Sequence, residues 1–115
     1  MKYKQFEIWL ADLNPKFGTE TGKTRPVLII QSNILNKIHP STIVCPITTN
    51  VKQGVSILRV NMKKGEGKIK KESAIMIDQI RAIDNKRFVK KVGDLPNYLQ
   101  EKVIENIQII LEITD

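Results

Sequence analysis

The sequence predicts an α+β fold, mainly β: a small twisted antiparallel barrel or sheet capped by a C-terminal helix. Three observations carry this. From Phe6 to Gly93 the chain breaks into short β-branched or apolar runs separated by Gly, Pro, Asn and Asp turn chemistry. From Pro96 the apolar period becomes helical, with Leu99, Val103, Ile107 and Ile110 on one stripe and Ile104 and Leu111 beside it. At 115 residues and 41% hydrophobic content there is enough for one real core, so a single domain over 1–115 is expected.

Phe6 to Ala11 reads as a first strand, ended by the turn residues Asp12-Leu13-Asn14-Pro15. Pro26 to Gln31 is a second, largely buried strand. Asn33 to Pro40 has room for a short helix stopped at the proline. Thr42 to Thr48 is a third strand whose Pro46 cannot donate to a ladder, which suggests a sheet edge or a bulge. Ser56 to Met62 forms a fourth strand, and Lys63 to Lys71, with Gly65 and Gly67, a loop. Ser73 to Arg81 reads as one fifth strand running on toward Ile83, which sets Asp78 on one side and Gln79 with Arg81 on the other. Arg87 to Gly93 is a short sixth strand, and Pro96 suits the first turn of the closing helix.

The formal charge is +7, and it is unevenly placed. Between Arg59 and Lys91 there are 11 Lys and Arg against 4 acids, so this segment alone carries the surplus of seven; the remainder is balanced. Such a segment suits a face that meets a polyanion, or a lysine-rich hairpin that keeps the protein in solution. No stretch reaches the roughly 20 apolar residues of a membrane span, and Glu7 and Asp12 interrupt the region where a signal sequence would need its apolar run. A lone Cys45 in a strand offers neither a disulfide framework nor a metal-ligand pair, and a cytoplasmic location is expected.

Several chemistries drop out. His39 is the only histidine, so no histidine pair can act as acid and base, and one His with one Cys makes a poor zinc site. No P-loop or dinucleotide glycine pattern occurs, and no cofactor or metal is called for. What remains is the polar loop Gly18-Thr19-Glu20-Thr21-Gly22-Lys23-Thr24-Arg25-Pro26 and the strand end at Thr48. Pro26 biases Arg25 toward an extended backbone, and its guanidinium offers a planar fork for phosphate. Each residue also has a plainer reading: Glu20 as a loop solubiliser, Arg25 as a surface ion pair, Thr48 as a strand-end hydrogen bonder.

Four strings in order resemble the MazF/PemK/Kid toxins, endoribonuclease halves of toxin–antitoxin pairs. They are Glu7-Ile8-Trp9-Leu10-Ala11-Asp12-Leu13-Asn14-Pro15; Gly18-Thr19-Glu20 leading to Arg25-Pro26-Val27-Leu28; Pro46-Ile47-Thr48; and Asp78-Gln79-Ile80-Arg81-Ala82-Ile83-Asp84. The resemblance implies an SH3-like barrel with a terminal helix, a homodimer, a single-stranded RNA substrate and a cognate antitoxin threading along the dimer groove. It implies Arg25 and Thr48 as the catalytic pair and Glu20 as a carboxylate in the same pocket. Gln79 and the loop from Thr49 to Gly54 would read bases, Phe17 would stack on one, and Lys23 and Arg81 would serve the phosphate groove. The chain departs from the pattern at Phe6, where many members have glycine. At Met76 and Thr19 the Kid type has arginine and histidine, so the Kid acid–base assignment does not transfer and the chain sits closer to the chromosomal MazF type.

The implied reaction is attack of a ribose 2′-hydroxyl on its own phosphate, without metal, giving a 2′,3′-cyclic phosphate and a 5′-hydroxyl. No side chain is an obvious general base, and Glu20 is open between base, scaffold and bystander. Two other readings compete. One is a non-catalytic RNA- or antitoxin-binding module. The other is a gyrase poison like the related CcdB toxins, which use a C-terminal Trp-Gly-Ile tail; this chain ends Glu112-Ile113-Thr114-Asp115.

Overall fold

Seven antiparallel strands form one curled sheet with a helix at the C-terminal end, as seen in a computed structural model that describes residues 3–51 and 57–113. The strands are β1 (Glu7–Asp12), β2 (Thr24–Ile29), β3 (Ser41–Thr48), β4 (Arg59–Met62), β5 (Ser73–Met76), β6 (Arg81–Asp84) and β7 (Phe88–Asp94). Their order is β4-β5-β3-β2-β1-β7, with β6 paired to β3 beside β5. The expected start of the fourth strand at Ser56, and the Lys52–Gly54 part of the base-reading loop, lie outside the described residues.

The sheet is apolar on both faces, which is why its strands read as nearly continuous hydrophobic runs. Alternation assigns consecutive residues of one strand to different cores. Ile8, Leu28, Cys45, Ile47, Val60 and Ile75 pack on one face with Leu95, Leu99 and Val103. Trp9, Ala11, Leu13, Val27, Ile29, Val44, Ile83 and Phe88 form a second cluster on the other face. Tyr3 closes that cluster, stacking on Phe88 at 4.4 Å and meeting Trp9 edge-on at 4.9 Å. A single core was too few for this composition, because the expectation ignored that a curled sheet buries both its faces.

The helix of the first core, α2 (Asn97–Ile110), follows the α1 turn (Asn33–Asn36) in chain order and confirms the expected stripe. Leu99 and Val103 are buried and Ile107 and Ile110 pack beside them, whereas Ile104 and Leu111 stay exposed, one position off the inward face. Pro96 caps the helix from outside, its carbonyl accepting from the Leu99 and Gln100 N–H groups at 3.0 and 3.1 Å. In α1, the Ser32 hydroxyl accepts from the Ile34 N–H at 3.2 Å, a standard N-cap.

Three expectations require correction. The second strand begins at Thr24, so Arg25 and Pro26 are strand residues paired with Ala11 and Leu10. The fifth strand is not continuous. β3 pairs with β6 through Val44↔Arg81 and with β5 through Ile47↔Ile75, and between these two ladders the register shifts by three residues. The three surplus residues are Ile77–Gln79, wound into a 3₁₀ turn, so the two-sided alternation expected of Asp78, Gln79 and Arg81 does not hold. Of the two settings expected for Pro46, the sheet edge is wrong: it is buried inside a central strand, beside the register break between β5 and β6. Ile43 accepts from the Ile30 N–H, so the odd residues of β3 face β2 and the even ones face β5 and β6. Pro46 therefore meets the gap between those two strands, where no ladder bond is lost.

β7 completes the curl on the free edge of β1, with register shifts between Ile8 and Trp9 and between Leu10 and Ala11 that bend the pair. The 3₁₀ turn Glu66–Lys68 lies against β7. A Cβ on Gly93 would stand 2.2 Å from the Gly67 carbonyl oxygen, so the close approach requires glycine. No helix among the described residues is long and apolar enough to cross a membrane.

Candidate active site

The loop between β1 and β2 folds back on its own base. Leu13 N–H donates to the Lys23 carbonyl and Lys23 N–H donates to Asn14 Oδ1, both at 2.9 Å. The Glu20 N–H donates to the Phe17 carbonyl at 2.9 Å across a turn that Gly18 takes at φ +54°. The result is a cleft of about 480 Å³ lined by Asn14, Lys16, Thr19, Glu20, Thr21, Gly22, Lys23 and Arg25.

Arg25 is half-buried at the floor, its Nε donating to the Gly22 carbonyl at 2.9 Å. That bond fixes the guanidinium plane and leaves both terminal nitrogens for an anion. Burial lowers its pKa from the ordinary guanidinium value, a direction that makes it a slightly better proton donor. Continuing the β2–β3 register two residues beyond Val27↔Pro46 sets Arg25 opposite Thr48, and directly opposed residues share a face. Thr48 is half-buried and its Oγ1 accepts from the Asn50 N–H at 3.1 Å, which leaves the hydroxyl proton for another acceptor.

Arg81 opens β6 opposite Val44 on that same face, and its Nη1 reaches the Thr21 carbonyl at 3.4 Å. Gln79 ends the 3₁₀ turn two residues earlier. That turn is held by buried Ile77, whose N–H donates to the Leu58 carbonyl at 2.9 Å, and by Arg59, whose Nε lies 3.3 Å from Asp78 Oδ1.

The structure thus brings together Glu20, Lys23 and Arg25 in one cleft, with Thr48 and Arg81 on the adjoining sheet face. Phe17 is 71% exposed and outside the cleft lining, and Thr49 is exposed beyond the strand end. Of the lining residues, Thr19, Thr21 and Gly22 belong to the loop that the sequence singled out, whereas Asn14 and Lys16 lie before it and were missed. The turn signature of Asn14-Pro15 marked the place, but only the closed loop shows that Asn14 faces Lys23. Cys45 has its thiol pushed up to about 12, first by burial and then by the Asp78 charge, and it sits in the first core as an inert side chain. His39 lies in a turn, its ring against the Ser41 backbone. Among the described residues no group of three or more His, Cys, Asp and Glu could hold a metal ion.

Residues 4–111 match the family described as PemK-like, MazF-like toxin of type II toxin-antitoxin system. The chain belongs to the PemK/MazF toxin family. It is 35% identical over 115 residues to Endoribonuclease EndoA of Bacillus subtilis (strain 168), covering 100% of this chain and 99% of that protein. Its fold is that of MazF from Deinococcus radiodurans, with a TM-score of 0.85 at 18% identity over 98% of this chain and 99% of that one. A MazE–MazF structure from the same organism gives a TM-score of 0.80 at 17% identity, with 99% of each chain covered. The sheet and helix described above are therefore the PemK/MazF fold.

Proposed function

We propose that this PemK/MazF-family chain is an endoribonuclease that cleaves single-stranded RNA, the toxin of a toxin–antitoxin pair. The observation that carries the reading is the opposition of Arg25, which lines the cationic cleft, and Thr48 on the adjoining sheet face. Similarity along its full length to a protein named an endoribonuclease supports it.

In the proposed reaction the 2′-oxygen forms a bond to the adjacent phosphorus and the bond from phosphorus to the 5′-oxygen breaks. The 2′-hydroxyl proton is lost to a base and a proton reaches the leaving oxygen. The products are a 2′,3′-cyclic phosphate and a 5′-hydroxyl, with no metal required. Negative charge grows on the non-bridging oxygens, and Arg25, already aimed by Gly22, stabilises it. The Thr48 hydroxyl donates to the same oxygens. Glu20 lines the cleft within the same loop and is the carboxylate available to accept the 2′ proton. Lys23 and Arg81 would hold flanking phosphates, and Phe17, Thr49 and Gln79 would stack on or bond to splayed bases.

The protein would work in the cytoplasm as a homodimer. Ile34 and Ile38, 79% and 81% exposed on and just after α1, supply apolar surface for a partner. The MazE–MazF assembly of the Deinococcus relative supports an antitoxin as the silencing partner. The test is incubation with a long unstructured RNA in excess EDTA, followed by mapping of the ends. Cyclic phosphate and 5′-hydroxyl ends are expected, and intact RNA under all conditions would overturn the reading. Arg25→Ala and Thr48→Ala should each abolish cutting with the circular dichroism spectrum unchanged.

A further inference from the structure

Arg87 lies outside the cleft lining, at the end of the 3₁₀ turn Asn85–Arg87, yet it reaches the base of the catalytic loop. Its Nη1 donates to the Asp12 carbonyl at 2.9 Å and also to the Asn14 carbonyl in a short contact. Its own turn is capped by Asp84, whose Oδ1 accepts from the Lys86 N–H at 2.8 Å. Between the two carbonyls that Arg87 grips, Asn14 N–H donates to Asp12 Oδ1 at 3.0 Å. Asn14 then passes the restraint on, since its Oδ1 accepts from Lys23 N–H at 2.9 Å, and Lys23 holds a left-handed backbone at φ +67°. The preceding residue, Gly22, supplies the carbonyl that accepts Arg25 Nε at 2.9 Å. A Cβ on Gly22 would stand 2.7 Å from Lys16 Cβ and 3.3 Å from Asn14 Oδ1, so this part of the loop lies directly on residues 14–16.

We infer that Arg87 is a positioning residue for the cleavage reaction, acting through Asn14 and the Gly22–Lys23 backbone on the orientation of the Arg25 guanidinium. A left-handed lysine is a conformation the isolated chain disfavours, so the loop needs an external brace to keep the Gly22 carbonyl on Arg25 Nε. Arg87 is that brace, and its charge serves the loop rather than the RNA. A catalytic donor displaced by a fraction of an ångström loses rate before it loses substrate affinity, which separates this role from phosphate binding.

The catalytic half of the test rests on the endoribonuclease reading; the other half does not. With a single-stranded oligonucleotide, Arg87→Met should lower kcat about tenfold or more while KM stays within about twofold, and Arg87→Lys should restore kcat to within about threefold. A raised KM with unchanged kcat would make Arg87 a phosphate contact and overturn the inference. A lowered Tm with unchanged kcat would make it a structural residue only and overturn it equally. Without RNA, hydrogen exchange of the Arg25 Nε–H, followed by ¹⁵N NMR, should quicken about tenfold in Arg87→Met and slow again in Arg87→Lys. Unaltered exchange in Arg87→Met would overturn the inference. Asn14→Ala cuts the same chain of bonds one link closer to Arg25 and should give the same quickening, even where Arg87→Met does not fold. Wild-type protein that cuts no RNA but shows the exchange pattern would refute the endoribonuclease reading and leave the brace standing.

Discussion

Arg25 uses its Nε–H to be aimed and keeps its two terminal nitrogens to act. The Nε bond to the Gly22 carbonyl does the aiming, and a lysine at that position has no equivalent group. Arg25→Lys should therefore retain the positive charge but lose about 10²- to 10³-fold in single-turnover cleavage, the cost of a misplaced charge-stabilising donor. Activity within threefold of wild type would show that charge alone suffices.

A second residue-scale prediction concerns Glu7. Burial raises its pKa, but hydrogen bonds from the Trp9 indole, the Lys91 ammonium and the Lys4 N–H outweigh that and hold it below the ordinary 4.5. A carboxylate with a depressed folded pKa contributes stability above its unfolded value, and the contribution is lost as pH falls through the folded one. Glu7→Gln should thus be less stable than wild type at neutral pH, with the gap closing below about pH 4.5. Denaturant titration followed by the emission of Trp9, the sole tryptophan, measures it. A gap that persists at a pH low enough to protonate the carboxylate in the folded state would place the effect in packing rather than in charge.

At the scale of elements, the β5–β6 break and the Gly67–Gly93 contact shape the sheet. The break converts a continuous apolar run into two ladders on β3 and turns Gln79 out of the strand path. A strand from Ser73 running on toward Ile83 was readable from the chain, but the 3₁₀ turn and its three-residue register shift were not, because they depend on the length of β3 that must be covered. Gly93 sits where two backbone segments touch, so the methyl group of Gly93→Ala meets Gly67 main chain, not a flexible side-chain tip. Overpacking of that kind costs about 1–3 kcal/mol, and the variant should lose at least that in chemical unfolding. A neutral result would mean that the Glu66–Lys68 turn moves aside freely.

Across the whole molecule, the basic segment does not act as one surface. Four of its 11 cations are engaged internally: Arg59 with Asp78, Arg81 with the Thr21 carbonyl, Arg87 with Asp12 and Asn14, and Lys91 with Glu7 and Asp94. The cations of the β4–β5 connection, including Lys70 and Lys71, are exposed. Neutralising Lys70 and Lys71 to glutamine should weaken RNA binding and flatten the slope of log K against log salt by about 1.4, as for two contacts to a single strand. An unchanged slope would assign those lysines to solubility.

The sequence by itself determined the strand-rich architecture and the closing helix, which follow from local properties: alternation, the helical stripe from Leu99 to Ile110, and turn residues. Excluding histidine pairs and thiolate chemistry left the polar loop and the strand end at Thr48, and the resemblance to the MazF/PemK/Kid toxins implied Arg25 and Thr48 as the pair. Only the tertiary structure decided that Arg25 stands opposite Thr48, that Pro46 falls in the gap between β5 and β6, and that Arg87 grips the base of the loop. Each of these joins residues far apart in the chain, Arg87 to Asp12 across 75 positions among them. Register and loop closure set such pairings, and both are settled by burial on two faces of the sheet at once, which no local window of sequence contains.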